Sequence, residues 1–459
     1  MVRAVAGASA RAADRDGELM AYAVGLLVLL VGLLASIALH EVGHMVPAKR
    51  FGVRVSKYMV GFGPTLWSRT RGETEYGFKA IPLGGYVRLV GMYPSAEVVG
   101  AAPRVGRFAE VIQAARDASS EEILPGEENR AFYRLSTPKK VTVMLGGPLM
   151  NLLIAAVLTG VVLVGFGIPG GPTTTVSFVG QCVPATDAPA DAPCTASDPP
   201  APAAAAGVEP GDVLLSYGGV PIDQWADFQD AIRENAGADI PLVVERAGEQ
   251  LTLAITPVMT ERPVYGEDGE IVLETDGQVR TEPGRYLGVG PTEALERQPL
   301  SAVVTTTGEA VWETAKIVVT LPAQLVDVVQ ATLGLEDRNE ASVVGVVGVG
   351  RFAGEIASID APGFGMSERI ASMLGLLAAL NIALFVFNLI PLLPLDGGHV
   401  AGALWEGAKR QIARVRGVAL PAPADVARMM PLAYGVFLAL AFMGILLIYA
   451  DIVRPVTIG

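Results

Sequence analysis

The pentapeptide His40-Glu41-Val42-Gly43-His44 uses two of only three histidines in the 459 residues. On a helix, residues four apart project from one face about a turn apart, so His40 and His44 can hold one metal ion together. Glu41 then stands beside the first histidine as a general base toward a water that such an ion would activate, which is the chemistry of hydrolysis. Two structural histidines satisfied near a helix end are the alternative. An ion used for hydrolysis takes three protein ligands and leaves room for water. No Glu or His follows closely on the same segment, so the third ligand must come from elsewhere. A second polar cluster, Asn388-Leu-Ile-Pro391-Leu-Leu-Pro394-Leu-Asp396-Gly-Gly-His399, offers Asp396 as the candidate. His399, the remaining histidine, is either a group near the ion or an interfacial histidine with no part in it. With only Cys182 and Cys194 in the chain, a cysteine-based zinc module or an iron–sulfur cluster is excluded.

These residues need elements to carry them, and the composition says of what kind. The chain is 51% hydrophobic and 18% charged, against about 25% charged in an average soluble domain. Its net charge of −13 argues against a nucleic-acid partner, because phosphate contacts need a basic face. A bilayer crossing takes about 20 mainly apolar residues, and four windows qualify. They are 19–40, a stretch from Val141 ending near Phe166, 371–395 and 429–450. Helices of a large soluble core are the other reading of any one such run; four together point to an integral membrane protein.

Loop charge sets the orientation. Residues 47–140 hold 15 Lys/Arg and 9 Asp/Glu, whereas 166–370 hold 10 Lys/Arg and 30 Asp/Glu. The loop 397–428 carries Lys409, Arg410, Arg414, Arg416 and Arg428 against Glu406 and Asp425. The positive-inside rule places the first and third loops in the cytoplasm, leaving the long acidic loop and both termini outside. Arg3, Arg11 and Arg15 with their Ala-rich surroundings superficially suggest an export signal. A signal peptide puts its apolar run before the small-residue site; here the order is reversed, so the first span is retained. Cys182 and Cys194 fall in the outer loop, where an oxidised pair would close a small loop and contribute about 3 kcal/mol. Two free thiols are the alternative.

On this arrangement His40, Glu41 and His44 lie at the cytoplasmic end of the first span, just before Pro47, Lys49 and Arg50. Ionisable groups at such depth are costly and mark function unless paired or solvated. The third span ends on the same side, so Asp396 can meet the histidines at one depth. Its prolines disrupt helical pairing and its glycines permit an irregular backbone there.

HEVGH on the first span with NLIPLLPLDGGH on the third resembles the site-2 protease family of intramembrane zinc metalloproteases, in particular the bacterial regulator-of-sigma-E protease branch and its actinobacterial relatives. PLGGYV at 82–87 resembles that branch's membrane-associated β-hairpin, GGPLMN at 146–151 its second-span motif, and GVEPGDVLLSYGGVPID at 207–223 its PDZ-type domain. The resemblance implies that His40, His44 and Asp396 ligate zinc and that Glu41 is the catalytic base. It implies substrate-binding or oxyanion roles for Asn388, Pro391 and Asn151, although both asparagines fit interhelical hydrogen bonds equally well. Gly84 and Gly85 belong with them, in a strand-prone stretch about 73–90 whose Gly-Gly step reads as a turn. An edge strand there would capture an unwound substrate by β-augmentation; an ordinary cytoplasmic hairpin is the plain alternative. Cobalt or nickel could replace zinc in vitro.

The expected architecture is a polytopic α-helical membrane protein of the bacterial cytoplasmic membrane. It has an N-terminal tail 1–18, transmembrane helices at 19–46, 138–166, 371–395 and 429–450, and cytoplasmic loops 47–137 and 396–428. An extracytoplasmic α+β PDZ-like domain spans 173–260, followed by 261–370, acidic linker to 285 and amphipathic over 299–335. One PDZ-like unit, where the sigma-E branch has two, means that a two-domain size filter does not carry over. The resemblance implies cleavage, within the lipid bilayer, of single-span proteins such as anti-sigma factors after an outside protease has shortened them. Signal-peptide remnants or secreted-peptide precursors are alternative substrates, and a non-catalytic zinc-binding PDZ receptor is the alternative of another class.

Overall fold

The computed structural model describes residues 2–100, 106–183, 194–195, 198–235, 237–264, 272, 279–336, 338, 342–359 and 364–456, without the side chains of 2–16, 83, 262 and 263. In chain order the elements are α1 (Val2–Arg50), β1 (Val55–Arg71), β2 (Thr74–Leu89), α2 (Ala96–Val99), α3 (Arg107–Ser120), α4 (Thr137–Gly160), β3 (Ile168–Val179), α5 (Pro202–Ala206), β4 (Val213–Tyr217), β5 (Val220–Pro221), α6 (Trp225–Glu234), β6 (Ile240–Arg246), β7 (Glu249–Ile255), β8 (Val258–Pro263), β9 (Thr281–Tyr286), β10 (Val289–Glu296), α7 (Leu300–Thr332), α8 (Val346–Ser358), α9 (Met366–Asn388), α10 (Asp396–Arg416) and α11 (Met430–Val453). They form two compact units. One comprises 1–165, 299–359 and 366–459; the other comprises 166–298 with 360–365.

The first unit is helical. Four of its helical stretches, Gly17–Arg50, Thr137–Phe166, Met366–Asn388 and Val426–Val453, are long and apolar enough to cross a membrane, with mean hydropathy from 2.3 to 2.6. Leu26, Leu27 and Val31 on α1, and Phe437, Leu438 and Phe442 on α11, face outward. An apolar surface of that size suits hydrocarbon, not water. This is a membrane protein.

Small residues let the helices approach. A Cβ added to Gly146 of α4 would lie 2.0 Å from the Gly43 carbonyl oxygen of α1, so the backbones touch at this crossing. Asn381 of α9 donates to Ser36 Oγ of α1 at 3.0 Å. Helix α8 packs along α1, with Gly25 against the Ala353 carbonyl and Gly354 against the Tyr22 ring. The buried Asp451 of α11 accepts hydrogen bonds from the backbone of Gly345 and Gly348 at the start of α8, and from Arg338.

The sheet of this unit is larger than the stretch 73–90 suggests. β1 and β2 form one long hairpin folded back on itself, so that Val55–Val60 pairs on one side with 85–89 and on the other with 75–78. The outer arm, Trp67–Arg71, pairs in turn with Thr74–Phe78. One reversal sits at Gly72, with φ +63°, and because 75–78 runs parallel to Val55–Val60 while 85–89 runs antiparallel to it, β2 itself turns back between Phe78 and Gly85, where Gly84 takes φ +95°. Tyr58 donates to the Ala38 carbonyl at 2.8 Å and fastens the sheet to α1.

The second unit is α+β. Its antiparallel sheet runs β10-β3-β4-β6-β7, with β5 on β4, and β8 pairs with β9 in a separate ribbon. The amphipathic α6 covers it, burying Trp225, Phe228 and Ala231 against Leu214, Tyr217, Leu242 and Val244. β8 and the C-terminal stretch Thr281–Tyr286 lie where 261–285 was expected to be linker, and the unit continues to 298; residues 265–271 and 273–278 lie outside the described residues. Cys182 and Cys194 are joined in a disulfide.

Candidate metal centre

Helix α1 runs unbroken through His40, Glu41 and His44 and stops at Arg50, where Gly52 takes φ +83°. Lys49 and Arg50 in its last turn complement the helix dipole. The two histidines therefore keep the i, i+4 relation, with ring centroids 4.9 Å apart.

Asp396 arrives by a different route. Helix α9 ends at Asn388 because Pro391 and Pro394 cannot continue it. The chain then passes through irregular turns to α10, which opens on Asp396. Gly397 and Gly398 are obligatory here. A Cβ on the first would lie 2.4 Å from the carbonyl oxygens of Leu389 and Ile390, and on the second 2.6 Å from the Leu393 nitrogen. The turn folds directly over the start of α10, and that close approach aims Asp396 back at α1.

The result is a three-membered cluster. His40 Nε2 and His44 Nε2 are 3.2 Å apart, and Asp396 Oδ2 lies 3.4 Å from the first and 3.3 Å from the second. Among the described residues this is the group of His, Cys, Asp and Glu whose ligand atoms converge for a metal. Zinc bonds of about 2.0–2.1 Å in a tetrahedron put ligand atoms about 3.3 Å apart, which is the spacing found. His44 Nδ1 is 2.8 Å from the Val143 carbonyl oxygen. A carbonyl can only accept, so Nδ1 carries the proton and Nε2 turns its lone pair to the cluster. Apart from the two histidine nitrogens, the buried Asp396 Oδ2 has no hydrogen-bond partner among the described residues, as expected of an atom aimed at an ion. A Cβ on Gly147 of α4 would lie 2.2 Å from His44 Nε2 and 2.7 Å from His40 Nε2; the glycine leaves the space the ligands need. The donor set and spacing fit zinc.

Glu41 is largely buried beside this cluster. The backbone of Val87 in β2 faces its carboxylate, and a Cβ on Gly85 would come within 3.2 Å of its Cγ. Because 85–89 forms the outer edge of the folded hairpin, that edge borders Glu41. Gly84 packs under the Phe62 ring.

The remaining expected residues are not among the converging ligand atoms. Asn388 donates to the Leu384 carbonyl of its own helix at 3.0 Å, and Pro391 is exposed in the turn. Asn151 is buried on α4, one turn beyond Gly147, with neither polar atom hydrogen-bonded among the described residues. His399 is outside the ligand set and near the Tyr93 ring, with centroids 6.3 Å apart. Burial brings it down to about 4, against a smaller upward pull from Asp396, so it is neutral at physiological pH. The Val143 carbonyl and the Val87 backbone were not foreseeable, since a backbone group leaves no mark on residue identity. Gly147 carried a signal, the GGPLMN motif, without a role attached.

The profile of peptidase family M50 matches residues 28–432, and the chain belongs to that family, the site-2 proteases. By that membership it is a zinc metalloprotease. Curated relatives agree along nearly the whole length. The zinc metalloprotease Rip1 of Mycobacterium tuberculosis is 32% identical over 438 residues, covering 95% of this chain and 99% of its own. The metalloprotease MmpA of Caulobacter vibrioides is 30% identical over 406 residues, covering 85% and 89%. The zinc metalloprotease RasP of Oceanobacillus iheyensis is 26% identical over 424 residues, covering 81% and 88%.

Proposed function

We propose that the chain is an intramembrane endopeptidase that cuts the transmembrane segments of single-span proteins, anti-sigma factors among them, after a prior extracytoplasmic cut. The observation that carries this reading is the convergence of His40, His44 and Asp396, with Glu41 beside them, where two apolar helices end. His40, His44 and Asp396 would hold the zinc. Bound there, zinc polarises the scissile carbonyl and brings a water's pKa toward about 7.

Glu41 takes the proton of the attacking water on its carboxylate and returns it to the leaving amine. The Val87 backbone, which faces that carboxylate, would orient it. A helical substrate hides its carbonyls in its own hydrogen bonds, so it must unwind to react. The edge at Gly84–Val87 offers backbone partners to the unwound stretch by β-augmentation. Asn151, buried with no hydrogen-bond partner among the described residues, and Asn388 at the end of α9 would meet substrate backbone or the developing oxyanion.

The charge asymmetry of the loops supports a multi-pass protein of the bacterial inner membrane with 47–140 and 397–428 in the cytoplasm. On that orientation the 166–298 unit and both termini are extracytoplasmic. The α+β sheet with its covering helix supports a PDZ-like module that binds or screens the exposed end of the substrate, and the Cys182–Cys194 disulfide suits that compartment.

The test is cleavage of a truncated single-span anti-sigma substrate by the purified protein, comparing wild type with Glu41→Gln. The expected result is cleavage by wild type and a loss of about 10²-fold or more in the variant, with zinc retained. Equal cleavage by both would overturn the assignment of Glu41. Absence of cleavage by a zinc-loaded wild type, across anti-sigma, signal-peptide and secreted-peptide precursors, would favour a non-catalytic receptor.

A further inference from the structure

Beneath the metal centre lies a second buried charge cluster that the chemistry does not use. Lys140 of α4 donates to both carboxylate oxygens of Glu406 of α10, at 2.8 and 3.0 Å. Their side chains are only 6% and 2% exposed. Glu406 also accepts from the Ala424 backbone at 2.8 Å and pairs with Arg410 at 3.0 Å. One carboxylate thus ties together α4, α10 and the segment leading into α11. Next to it, Gly407 sits against Thr137, where an added Cβ would lie 2.8 Å from the Thr methyl carbon.

Stability alone does not account for such a pair. Well-packed apolar residues in place of a buried ion pair often leave stability unchanged or raise it, and the best-attested use of such a pair is to set register. Here register has a consequence. The irregular stretch 389–395 breaks the helix between α9 and α10, so the turn packed on Gly397 and Gly398 holds the near end of α10, and Glu406 holds the helix ten residues further on. Helix α4 is the common ruler. Lys140 and Gly147, two turns apart, lie within about 20° on its surface. Gly147 touches both histidine rings, and Val143 between them orients His44. The same face of α4 therefore locates the histidines at one level and grips α10 at another. Asp396 sits 3.3–3.4 Å from both histidines, and a slip of α10 by one residue moves its first turn by about 1.5 Å and 100°.

We propose that the Lys140–Glu406 pair is a positioning element of the metal centre, setting the register of α10 so that Asp396 completes the zinc ligand set. The proposal rests on the reading of Asp396 as a ligand. The full-length protein in detergent micelles would be tested for zinc affinity by competition with a chromophoric chelator, with thermal unfolding followed in parallel. Glu406→Gln strands Lys140 in a buried site and confounds folding with register, so the deciding variant is the apolar pair K140M/E406M. Expected is a folded protein with an unfolding midpoint near wild type and zinc held about 10- to 100-fold more weakly, the loss typical of a group that orients a ligand. Lys140→Arg, which keeps charge and reach, is expected to hold zinc as wild type does. Wild-type zinc affinity in the folded double variant, or a double variant that does not fold, would overturn the proposal; the second outcome would make the pair a requirement of the fold. Asp396→Asn separates the two levels of the claim. If it leaves zinc affinity unchanged, the ligand reading itself falls. If it abolishes tight binding while K140M/E406M does not weaken it, only the positioning role falls.

Discussion

The proton on His44 Nδ1 is committed to the Val143 carbonyl, and that single hydrogen bond decides which nitrogen of the ring faces the cluster. His40 and His44 differ in this respect, because His40 Nδ1 has no hydrogen-bond partner among the described residues. His44 is therefore the better oriented of the two. His399 shows the opposite case. It lies one turn beyond Asp396 on α10, yet its ring is near Tyr93 and outside the ligand set. Its neutrality and burial suit a packing role, so His399→Gln is expected to keep zinc affinity within about threefold of wild type, short of the loss seen when an orienting group is removed. Chelator competition measures this directly, and zinc loss comparable to that of His40→Ala would place His399 in the ligand set after all.

At the scale of elements, the crossing of α1 and α4 is what makes the site possible. Two glycines there do different work. Gly146 admits the Gly43 carbonyl, and Gly147 admits the histidine rings. Gly147→Ala puts a methyl group where His44 Nε2 lies, so zinc affinity is expected to fall by at least about tenfold, while the neighbouring helix contacts remain. Gly146→Ala pushes the helices apart and is expected to cost about 1–3 kcal/mol of stability through overpacking, read as a lower denaturation midpoint. If both variants bound zinc and unfolded like wild type, the close crossing would not exist in solution. The folded-back hairpin contributes the other wall. By pairing Val55–Val60 on both sides it leaves 85–89 at the edge beside Glu41, and Gly84 and Gly85 stand where the chain comes out of its second reversal into that edge.

At the scale of the whole molecule, the two units respond to different conditions. In the second unit the buried Asp212 accepts two hydrogen bonds from Arg246 and one from the Glu209 backbone. Burial pushes its carboxyl up, but these partners outweigh it and hold the group below its ordinary range. A depressed carboxylate adds stability above its unfolded pKa and loses it as pH falls through the folded value. Asp212→Asn should therefore unfold this unit at lower temperature near pH 7, and the gap from wild type should close below about pH 4. Near-ultraviolet circular dichroism of Trp225, packed in that core against Phe228, follows the transition; a gap that stayed constant with pH would rule out the ionised pair as its source. The disulfide also lies in this unit. Replacing both Cys182 and Cys194 with serine is expected to lower its stability by about 2–3 kcal/mol through a looser unfolded chain, with zinc binding in the first unit unaffected.

Local and compositional properties were readable from the sequence by itself. A four-residue spacing on a helix brings two histidines to one face wherever that helix goes, and twenty apolar residues mark a crossing regardless of neighbours. The prolines and glycines around Asp396 likewise announced a break in the third span. What the tertiary structure decided was every relation between distant residues. Trp67–Arg71 and 85–89 end up on opposite edges of one sheet because β1 pairs twice, a non-local choice on which the Gly-Gly turn signal at 84–85 is silent. The second strand of the β8–β9 ribbon looked like linker because two short strands gain their stability only from each other. Lys140 and Glu406 stand 266 positions apart, so charge counting saw two solvated loop residues where packing makes one buried pair. Chain-local periodicity determines which residues share a face; only the closure of helices onto one another determines which faces meet.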